Sequence, residues 1–388
     1  MSTRQKAQLV NPALLKWARE SAGYSVGELA ASIQRKPGDI ASWESGEDAP
    51  SFAQLRRLAG RVKRSVAVFY LPAVPAEPPL PRDFRCRADP GVGGFGPSAR
   101  LAFRELRNAL SNWAEIAGLA GEPVSVDLPS ASLVDDPEVT ASVLRTHIGV
   151  SVDEQLDNSR PYAAMDLWTD ALFALGVLVQ RSQMDTSELR AFSLTHAGLA
   201  GIGLSTKDAP TARVFSLLHE VAHLCLGQPG VSGDSLACRD LGTTPEAHVE
   251  RHCDAVAGEF LMPRRSDEVA VALQSLRRNL DYDSARQCGD QFGVSRFVVA
   301  RRMLDLKLLE PDVYWETVEG WLKRKAASER SGPGGNYYNN KLSEIGKPFA
   351  AAVIEAVDRG FVSTHTALMV LGVKTATTLQ GLRQRLAG

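Results

Sequence analysis

The chain has few cysteines and no long apolar run, and each absence excludes a class of protein. Its 388 residues include five Cys, at 86, 225, 238, 253 and 288, and none forms a C-x-x-C pair. Scattered thiols in odd number argue against a disulfide framework and a zinc knuckle, and they indicate a reducing compartment. No apolar run approaches about 18 residues, and the N-terminus lacks the apolar segment of a secretion signal. We therefore predict a cytoplasmic protein without a membrane span.

The charge of the chain is nearly balanced overall but unevenly distributed. The formal net charge is −1, yet residues 1–75 contain eleven Lys and Arg against six Asp and Glu. A basic module on an otherwise mildly acidic protein suggests a nucleic-acid partner for that module alone. With 44% hydrophobic and 23% charged residues, the composition is that of a globular protein long enough for several domains.

The clearest chemical signal is the motif H-E-x-x-H at residues 219–223, inside a predicted helix at 211–227. On a helix, His219 and His223 lie one turn apart on the same face, where both imidazoles can bind one metal ion. Glu220 lies beside them, where a general base for peptide hydrolysis must be. The apolar flanks of the motif predict a core helix. The motif therefore predicts a zinc site, with Mn²⁺ as the alternative ion and Glu220 as the catalytic base.

A catalytic zinc needs a third protein ligand, and the candidates lie on a second predicted helix that ends at Pro263. Glu250 and Asp254 form an E-x-x-x-D pair there, which resembles the gluzincin pattern. That resemblance implies that Glu250 binds the metal and that Asp254 holds a ligating imidazole in one tautomer. His248 and His252 remain rivals for the third position, because their spacing also permits metal binding.

The two motifs together resemble those of the ImmA/IrrE family of metallopeptidases. The resemblance rests on H-E-x-x-H followed, about thirty residues later, by E-x-x-C-D-x-V-A-G-E-F-L-M-P. It implies a zinc endopeptidase with a narrow substrate, typically a helix-turn-helix repressor that is cleaved under stress, on mobile elements or after DNA damage.

Residues 11–70 predict five short helices in the layout of a helix-turn-helix domain. Ser25 and Glu28 form a capping box at the second helix, and Pro37 begins the third. The segment W-E-S-G-E-D-A-P-S resembles the stretch after the recognition helix of XRE-type domains, which are often fused to ImmA/IrrE peptidases. The third helix would then enter a major groove, and a protein-interaction module of the same fold is the alternative. Its candidate DNA-binding residues are Arg35, Lys36, Asp39 and Ser42.

Two further regions bear on the peptidase. Short β-rich runs at 173–181, 189–195 and 200–206 predict a small sheet before the metal helix. Since zinc peptidases commonly pair an edge strand with an extended substrate, residues 201–206 are a candidate substrate-binding edge, and an ordinary structural edge is the alternative. Residues 284–309 contain a Phe-Gly-Val-Ser turn typical of a second helix-turn-helix, which is either part of the protease body or a further DNA contact. Its basic residues are Arg296, Arg301, Arg302 and Lys307.

We therefore predict a multidomain, mainly α-helical protein with a small β-sheet. The expected parts are a five-helix helix-turn-helix domain (1–75), a Pro/Gly-rich linker (76–98), a gluzincin-like α+β zinc peptidase domain (99–265), a second helix-turn-helix-like region (266–328) and a helical C-terminal region (329–388).

The predicted function is a zinc-dependent, site-specific endopeptidase coupled to DNA binding, which regulates transcription by cleaving a repressor. The alternative is a DNA-binding transcription regulator whose peptidase-like domain senses a ligand or a partner without cleaving. The expected partners are DNA, through residues 1–75, and a protein substrate, and a homodimer is left open.

Overall fold

The computed structural model describes residues 6–7, 9–84, 94–232, 243–328 and 336–387. The chain divides into two compact units, the first with residues 1–80 and 89–105 and the second with residues 81–88 and 106–388. The fold is mainly helical with one small mixed sheet, as the sequence predicts. Within the described ranges, no helix is both long enough and apolar enough to cross a membrane.

The first unit has a helical segment at each of the five predicted positions. Capping side chains set where they begin: the Asn11 side chain accepts a hydrogen bond from the Ala13 amide, and Ser25 and Glu28 form the predicted capping box. The third helix ends at Gly46, whose φ of 81° suits glycine. The segments are α1 (Pro12–Ser21), α2 (Val26–Ser32), α3 (Pro37–Ser45), α4 (Phe52–Arg61) and a 3-10 helix (Val66–Tyr70).

One long helix, α5 (Pro97–Leu119), contributes residues to both units, and the other helices belong to the second unit. These are α6 (Pro137–Ile148), α7 (Val152–Asp157), α8 (Pro161–Ala174), α9 (Pro210–Cys225), α10 (Pro245–Leu261), α11 (Asp267–Leu276), α12 (Tyr282–Phe292), α13 (Arg296–Asp305), α14 (Pro311–Ser328), α15 (Tyr337–Ile345), α16 (Lys347–Asp358), α17 (Thr364–Val370) and α18 (Ala376–Ala387). The four last helices agree with the predicted helical C-terminal region, whose first residues, 329–335, lie outside the described ranges.

The sheet of the second unit has five strands in the order β1-β5-β3-β4-β2. They are β1 (Arg82–Asp83), β2 (Val177–Ser182), β3 (Ala191–His196), β4 (Leu199–Ser205) and β5 (Gly230–Ser232). Strand β4 pairs antiparallel with β3 on one side and parallel with β2 on the other. The prediction that residues 201–206 form a substrate-binding edge is therefore wrong, because both sides of that strand are already paired.

The predicted linker at 76–98 contains a strand of this sheet. Arg82 and Asp83 pair in parallel with Gly230 and Val231, and the Phe84 amide donates a hydrogen bond of 2.9 Å to the Val231 carbonyl. The proline-rich composition of the segment predicts an extended backbone but cannot predict a pairing partner so far along the chain. The end of the spacer is therefore part of the second unit.

Helix α9 lies in the core of the second unit, as its apolar flanks predict. Leu217, Leu218 and Val221 are fully buried on it, and α9 contacts α8, α10 and the strands β3 and β4. Trp168 of α8 packs edge-on against Phe260 of α10, with 5.2 Å between the ring centroids. Helix α8 thus contacts both α9 and α10 and helps to hold them side by side.

The cysteines that the structure describes agree with the prediction of free thiols. Cys225, Cys253 and Cys288 are buried and unbonded, and burial raises the pKa of the Cys225 thiol to about 12. They act as small core residues, since a buried neutral thiol is inert. Cys86 and Cys238 lie outside the described residues.

Candidate metal centre

The two histidines of the motif lie on α9 and face each other. Pro210 occupies the first turn of this helix, where its missing N–H costs nothing, so the backbone is regular through residue 225. His219 and His223 are then one turn apart, with 4.9 Å between ring centroids and 3.1 Å between their Nε2 atoms. Helical spacing alone accounts for this proximity.

Glu250 reaches the same point from α10. Its Oε1 lies 3.0 Å from Nε2 of His223, and its Oε2 lies 3.5 Å from Nε2 of His219. One ligand atom from each of the three residues lies within 4.8 Å of the other two, and all three residues are buried. The structure therefore contains a potential metal-binding triad composed of His219, His223 and Glu250.

The two rival histidines do not join this group. His248 is exposed on α10 and its Nδ1 contacts the Arg251 guanidinium at 3.2 Å. His252 is largely buried, and burial lowers the pKa of its imidazole. Among the described residues, neither belongs to a cluster with three metal-ligating side chains.

Oxygen atoms near the imidazole rings of His219 and His223 determine which nitrogen of each ring keeps a lone pair. Nδ1 of His219 lies 2.9 Å from Oδ1 of Asp254, and Nδ1 of His223 lies 3.2 Å from the Gln228 carbonyl. A carbonyl or carboxylate oxygen can only accept, so the near oxygens favour a proton on each Nδ1 and a lone pair on each Nε2, although the His219–Asp254 pair is close without being aligned as a hydrogen bond. Two Nε2 lone pairs 3.1 Å apart repel each other unless a proton or a metal ion lies between them. The side chains present therefore fit a divalent metal ion.

The electrostatics of the triad support the same conclusion. Burial alone would raise the pKa of Glu250, but His219 and His223 hold it at about 2. Burial alone would lower the pKa of His219, but the carboxylates of Glu250 and Asp254 raise it well above its usual value. Both shifts show that the buried carboxylates favour positive charge at this point, and a divalent cation would supply it.

Glu220 lies beside the triad and is not held in a fixed hydrogen bond. It is 0% exposed, and neither carboxylate oxygen has a well-aligned hydrogen-bond partner among the described residues. Burial raises the pKa of Glu220, while the neighbouring histidines and the nearby hydroxyls of Ser193 and Ser232 lower it in part. A raised carboxyl pKa suits a group that must both take up and release a proton near neutral pH.

Arg301 contacts the centre, and no sequence motif predicts that contact. Arg301, on α13, lies with Nη1 3.3 Å from Oδ2 of Asp254 and donates from Nε to Oδ1 of Asp305 at 2.9 Å. It thus contacts the carboxylate that orients His219. In the sequence, Arg301 is one of several basic residues in the second helix-turn-helix-like element, and nothing in its spacing connects it to residues 219–254.

Of the predicted DNA-binding residues in the first unit, Arg35 and Lys36 directly precede α3, and Asp39 and Ser42 lie on it. Lys36 is exposed, whereas Arg35, Asp39 and Ser42 are partly exposed. Oδ2 of Asp39 accepts from the Lys36 amide at 3.3 Å, and the Ser42 hydroxyl donates to the Asp39 carbonyl at 3.0 Å. Two of the four side chains therefore already bond to their own helix, and the basic pair is the stronger candidate for phosphate contacts.

Residues 174–304 match a protein-family model described as the IrrE N-terminal-like domain, Peptidase_M78. The matched region contains the triad, Glu220, Asp254 and Arg301. No curated protein and no solved structure gave a match. Together with the triad, the family match supports a metallopeptidase-type domain in the second unit and a metal ion as its cofactor.

Proposed function

We propose that the protein is a zinc-dependent, site-specific endopeptidase coupled to a DNA-binding module. The observation that carries the proposal is the convergence of His219, His223 and Glu250 next to the buried carboxylate of Glu220. A closed structural zinc site uses four protein ligands, whereas three protein ligands leave a position for water and suit chemistry. In this proposal residues 99–265 form a gluzincin-like peptidase domain.

The side chains of the centre have distinct roles in peptide hydrolysis. A zinc ion bound there would supply Lewis acidity, which polarises a carbonyl and makes water a nucleophile near neutral pH. Glu220 would accept the proton of that water and pass it to the leaving amine. Asp254 would keep Nδ1 of His219 protonated, so that Nε2 faces the metal.

The DNA-binding part of the proposal rests on the first unit. Its α2 and α3 have the lengths and caps of a helix-turn-helix pair, and the basic excess of residues 1–75 supplies a favourable field for DNA. We propose an XRE-type module that contacts DNA through Arg35 and Lys36, assisted by Asp39 and Ser42. The substrate would be a helix-turn-helix repressor, as the family resemblance implies, and its cleavage would change transcription under stress or on a mobile element.

A second candidate function is favoured by the burial of the centre. His219, Glu220, His223, Glu250 and Asp254 are each no more than 2% exposed, and such a closed site suits a regulator that senses a partner without cleaving. The two functions differ in one requirement, because only proteolysis needs Glu220 to transfer protons.

Metal analysis of alanine variants tests the ligand set. We expect His219→Ala, His223→Ala and Glu250→Ala to lose stoichiometric zinc, measured by native mass spectrometry, because each variant removes one of three ligands. His248→Ala and His252→Ala are matched controls on α10 and should keep the ion. Zinc retention in Glu250→Ala, with loss in either control, would move the third ligand to that histidine.

The variant Glu220→Gln separates the two functions. It should bind zinc like the wild type but lose about 10²-fold or more of the cleavage rate, because glutamine cannot accept a proton. Cleavage would be followed on purified helix-turn-helix repressors, with transcription measured in cells. A transcriptional output that survives in Glu220→Gln but disappears in Arg35→Ala/Lys36→Ala would favour the sensor.

A further inference from the structure

The outer edge of β5 is the sheet edge beside the metal centre. Of the two ends of the sheet, β2 lies against α15, and its Gln180 side chain donates to the Ile345 carbonyl at 3.4 Å. Strand β5 follows directly after α9, and its Ser232 hydroxyl lies 3.3 Å from Nε2 of His223. A chain laid along the outer side of β5 would therefore pass close to the triad.

That edge is occupied by the protein's own segment, Arg82–Phe84. The segment pairs in parallel with β5, and the Phe84 amide donates to the Val231 carbonyl at 2.9 Å. The Phe84 ring is 3% exposed and packs on the imidazole of His223, with 4.9 Å between ring centroids. The occupant thus places an aromatic side chain directly against a metal-ligating residue.

Gly230 makes room for this ring. A methyl group at Gly230 would collide with the Phe84 ring and would lie 2.8 Å from the Arg82 carbonyl oxygen. The edge therefore accommodates an aromatic side chain that passes over Gly230 and packs against His223. A strand that only completed the sheet would not need such an arrangement.

The contacts of the Arg82 side chain lie at the surface. Arg82 lies 3.3 Å from Oε1 of Gln228 and 3.5 Å from Oε1 of Glu246, and its side chain is 58% exposed. Among the described residues the strand pairs with β5 through two residues, and the buried Phe84 ring supplies its main apolar contact. Such a short strand can leave the edge without disturbing the rest of the sheet.

We propose that the outer edge of β5 is the substrate-binding edge and that Arg82–Phe84 occupies it as an internal pseudosubstrate. This inference rests on the proposed peptidase function and names its substrate class. The peptide to be cleaved is an extended segment that replaces residues 82–84, with an aromatic side chain over Gly230 against His223. In that peptide, a basic residue two positions before the aromatic residue faces Glu246. Until such a peptide displaces the strand, the buried centre is inhibited by its own chain.

Binding of a synthetic peptide to the full-length, zinc-loaded protein tests the proposal. The probe is a fluorescein-labelled peptide with the sequence of residues 79–88, PLPRDFRCRA, carrying serine in place of the cysteine. In a Glu220→Gln background, which prevents cleavage, Phe84→Ala should bind it about 10- to 100-fold more tightly than protein with Phe84 intact. We expect this factor because the internal strand, once it has lost its buried Phe side chain, competes less strongly with the probe for the edge. A probe with alanine in place of its phenylalanine should not bind.

Three further variants identify the cause. Tyr162→Ala removes an exposed aromatic side chain elsewhere in the second unit and should bind the probe as weakly as protein with Phe84 intact. Gly230→Ala should expel the internal strand but also block the probe, so it should bind zinc and no peptide. If Phe84→Ala fails to fold, the surface variant Arg82→Glu tests the same edge. It weakens the internal strand less, so we expect its affinity for the probe to rise about 2- to 5-fold.

Zinc release and proteolysis complete the test. In Phe84→Ala, a chromogenic chelator should remove zinc faster than from the wild type, and the peptide should restore protection. With Glu220 intact, Phe84→Ala should cleave the probe peptide faster than the wild type, whereas a merely structural strand predicts slower cleavage. Equal affinities of Phe84→Ala and protein with Phe84 intact for the probe would overturn the proposal. If no variant cleaves but the binding differences hold, the peptidase function fails and the binding edge stands.

Discussion

The sequence predicts two helix-turn-helix elements, and the structure directs the basic residues of the two helix pairs in opposite ways. In α2–α3 of the first unit, Lys36 is exposed and Arg35 partly exposed. In α12–α13 of the second unit, Arg301 and Arg302 are turned inward, onto Asp254 and Glu259, and Arg296 stacks over the Tyr282 ring at 3.6 Å. The inward arginines make the second element part of the core of the second unit. Similar local sequence patterns thus place basic residues at the surface in α2–α3 and in the core in α12–α13.

The largest expected effect comes from breaking the buried pair of the second element. Arg302 pairs with Glu259 and also donates to the Met262 carbonyl at 2.8 Å, and its side chain is 2% exposed. Arg302→Met should lower the free energy of unfolding by about 3 kcal/mol, because the buried Glu259 carboxylate keeps only its contacts with the more exposed Arg264 and the Met262 carbonyl loses its donor. Urea unfolding followed by circular dichroism measures this.

Arg324→Met is the matched control for that variant. Arg324 pairs with Asp283 at 3.4 Å, but both side chains are more than half exposed. Its removal should change the urea midpoint little, since exposed pairs contribute weakly. Equal effects of the two variants would contradict the assignment of the second element to the core.

The next effect concerns the contact between the second element and the metal centre. Arg301→Gln should weaken zinc binding about 10- to 100-fold, because Asp254 loses the guanidinium that positions it against His219. Competition with a chelator of known affinity measures this without any substrate. Arg296→Gln, on the same helix but over Tyr282, should bind zinc like the wild type. Unchanged affinity in Arg301→Gln would remove its role as a positioning residue.

The last prediction concerns DNA binding by the first element, where we expect the smallest effect on the fold. Arg35→Ala/Lys36→Ala should leave stability unchanged but weaken DNA binding at every sequence. The slope of log affinity against log salt should become shallower by about 0.9 for each phosphate that these side chains neutralise in the wild type. Lys307→Ala removes an exposed charge after α13 and should leave that slope unchanged. A reduced slope in Lys307→Ala would show that both elements touch DNA and would end the contrast between them.

Features that depend on near neighbours in the chain could be predicted from the sequence. The spacing of His219 and His223 on one helical face needs only helix geometry, and the start of α2 needs only the Ser25–Glu28 capping box. The three predicted β-rich runs between 173 and 206 correspond to β2, β3 and β4, except that residues 173–174 belong to α8, because β-propensity and turn residues act locally. The two motifs supply His219, His223 and Glu250, which the structure brings together, whereas they do not indicate Arg301.

What the sequence by itself determined is therefore the two histidines of the potential metal site, the adjacent carboxylate and the helical segments of the first unit. Only the tertiary structure decided that Glu250, and not His248 or His252, faces them, because that choice depends on how α10 is rotated against α9. It also decided that β4 is central, that Arg82–Asp83 pairs with β5, and that Arg301 reaches Asp254. These contacts join residues far apart in the chain. Their free energy comes from packing and burial in the folded state, which no local pattern encodes.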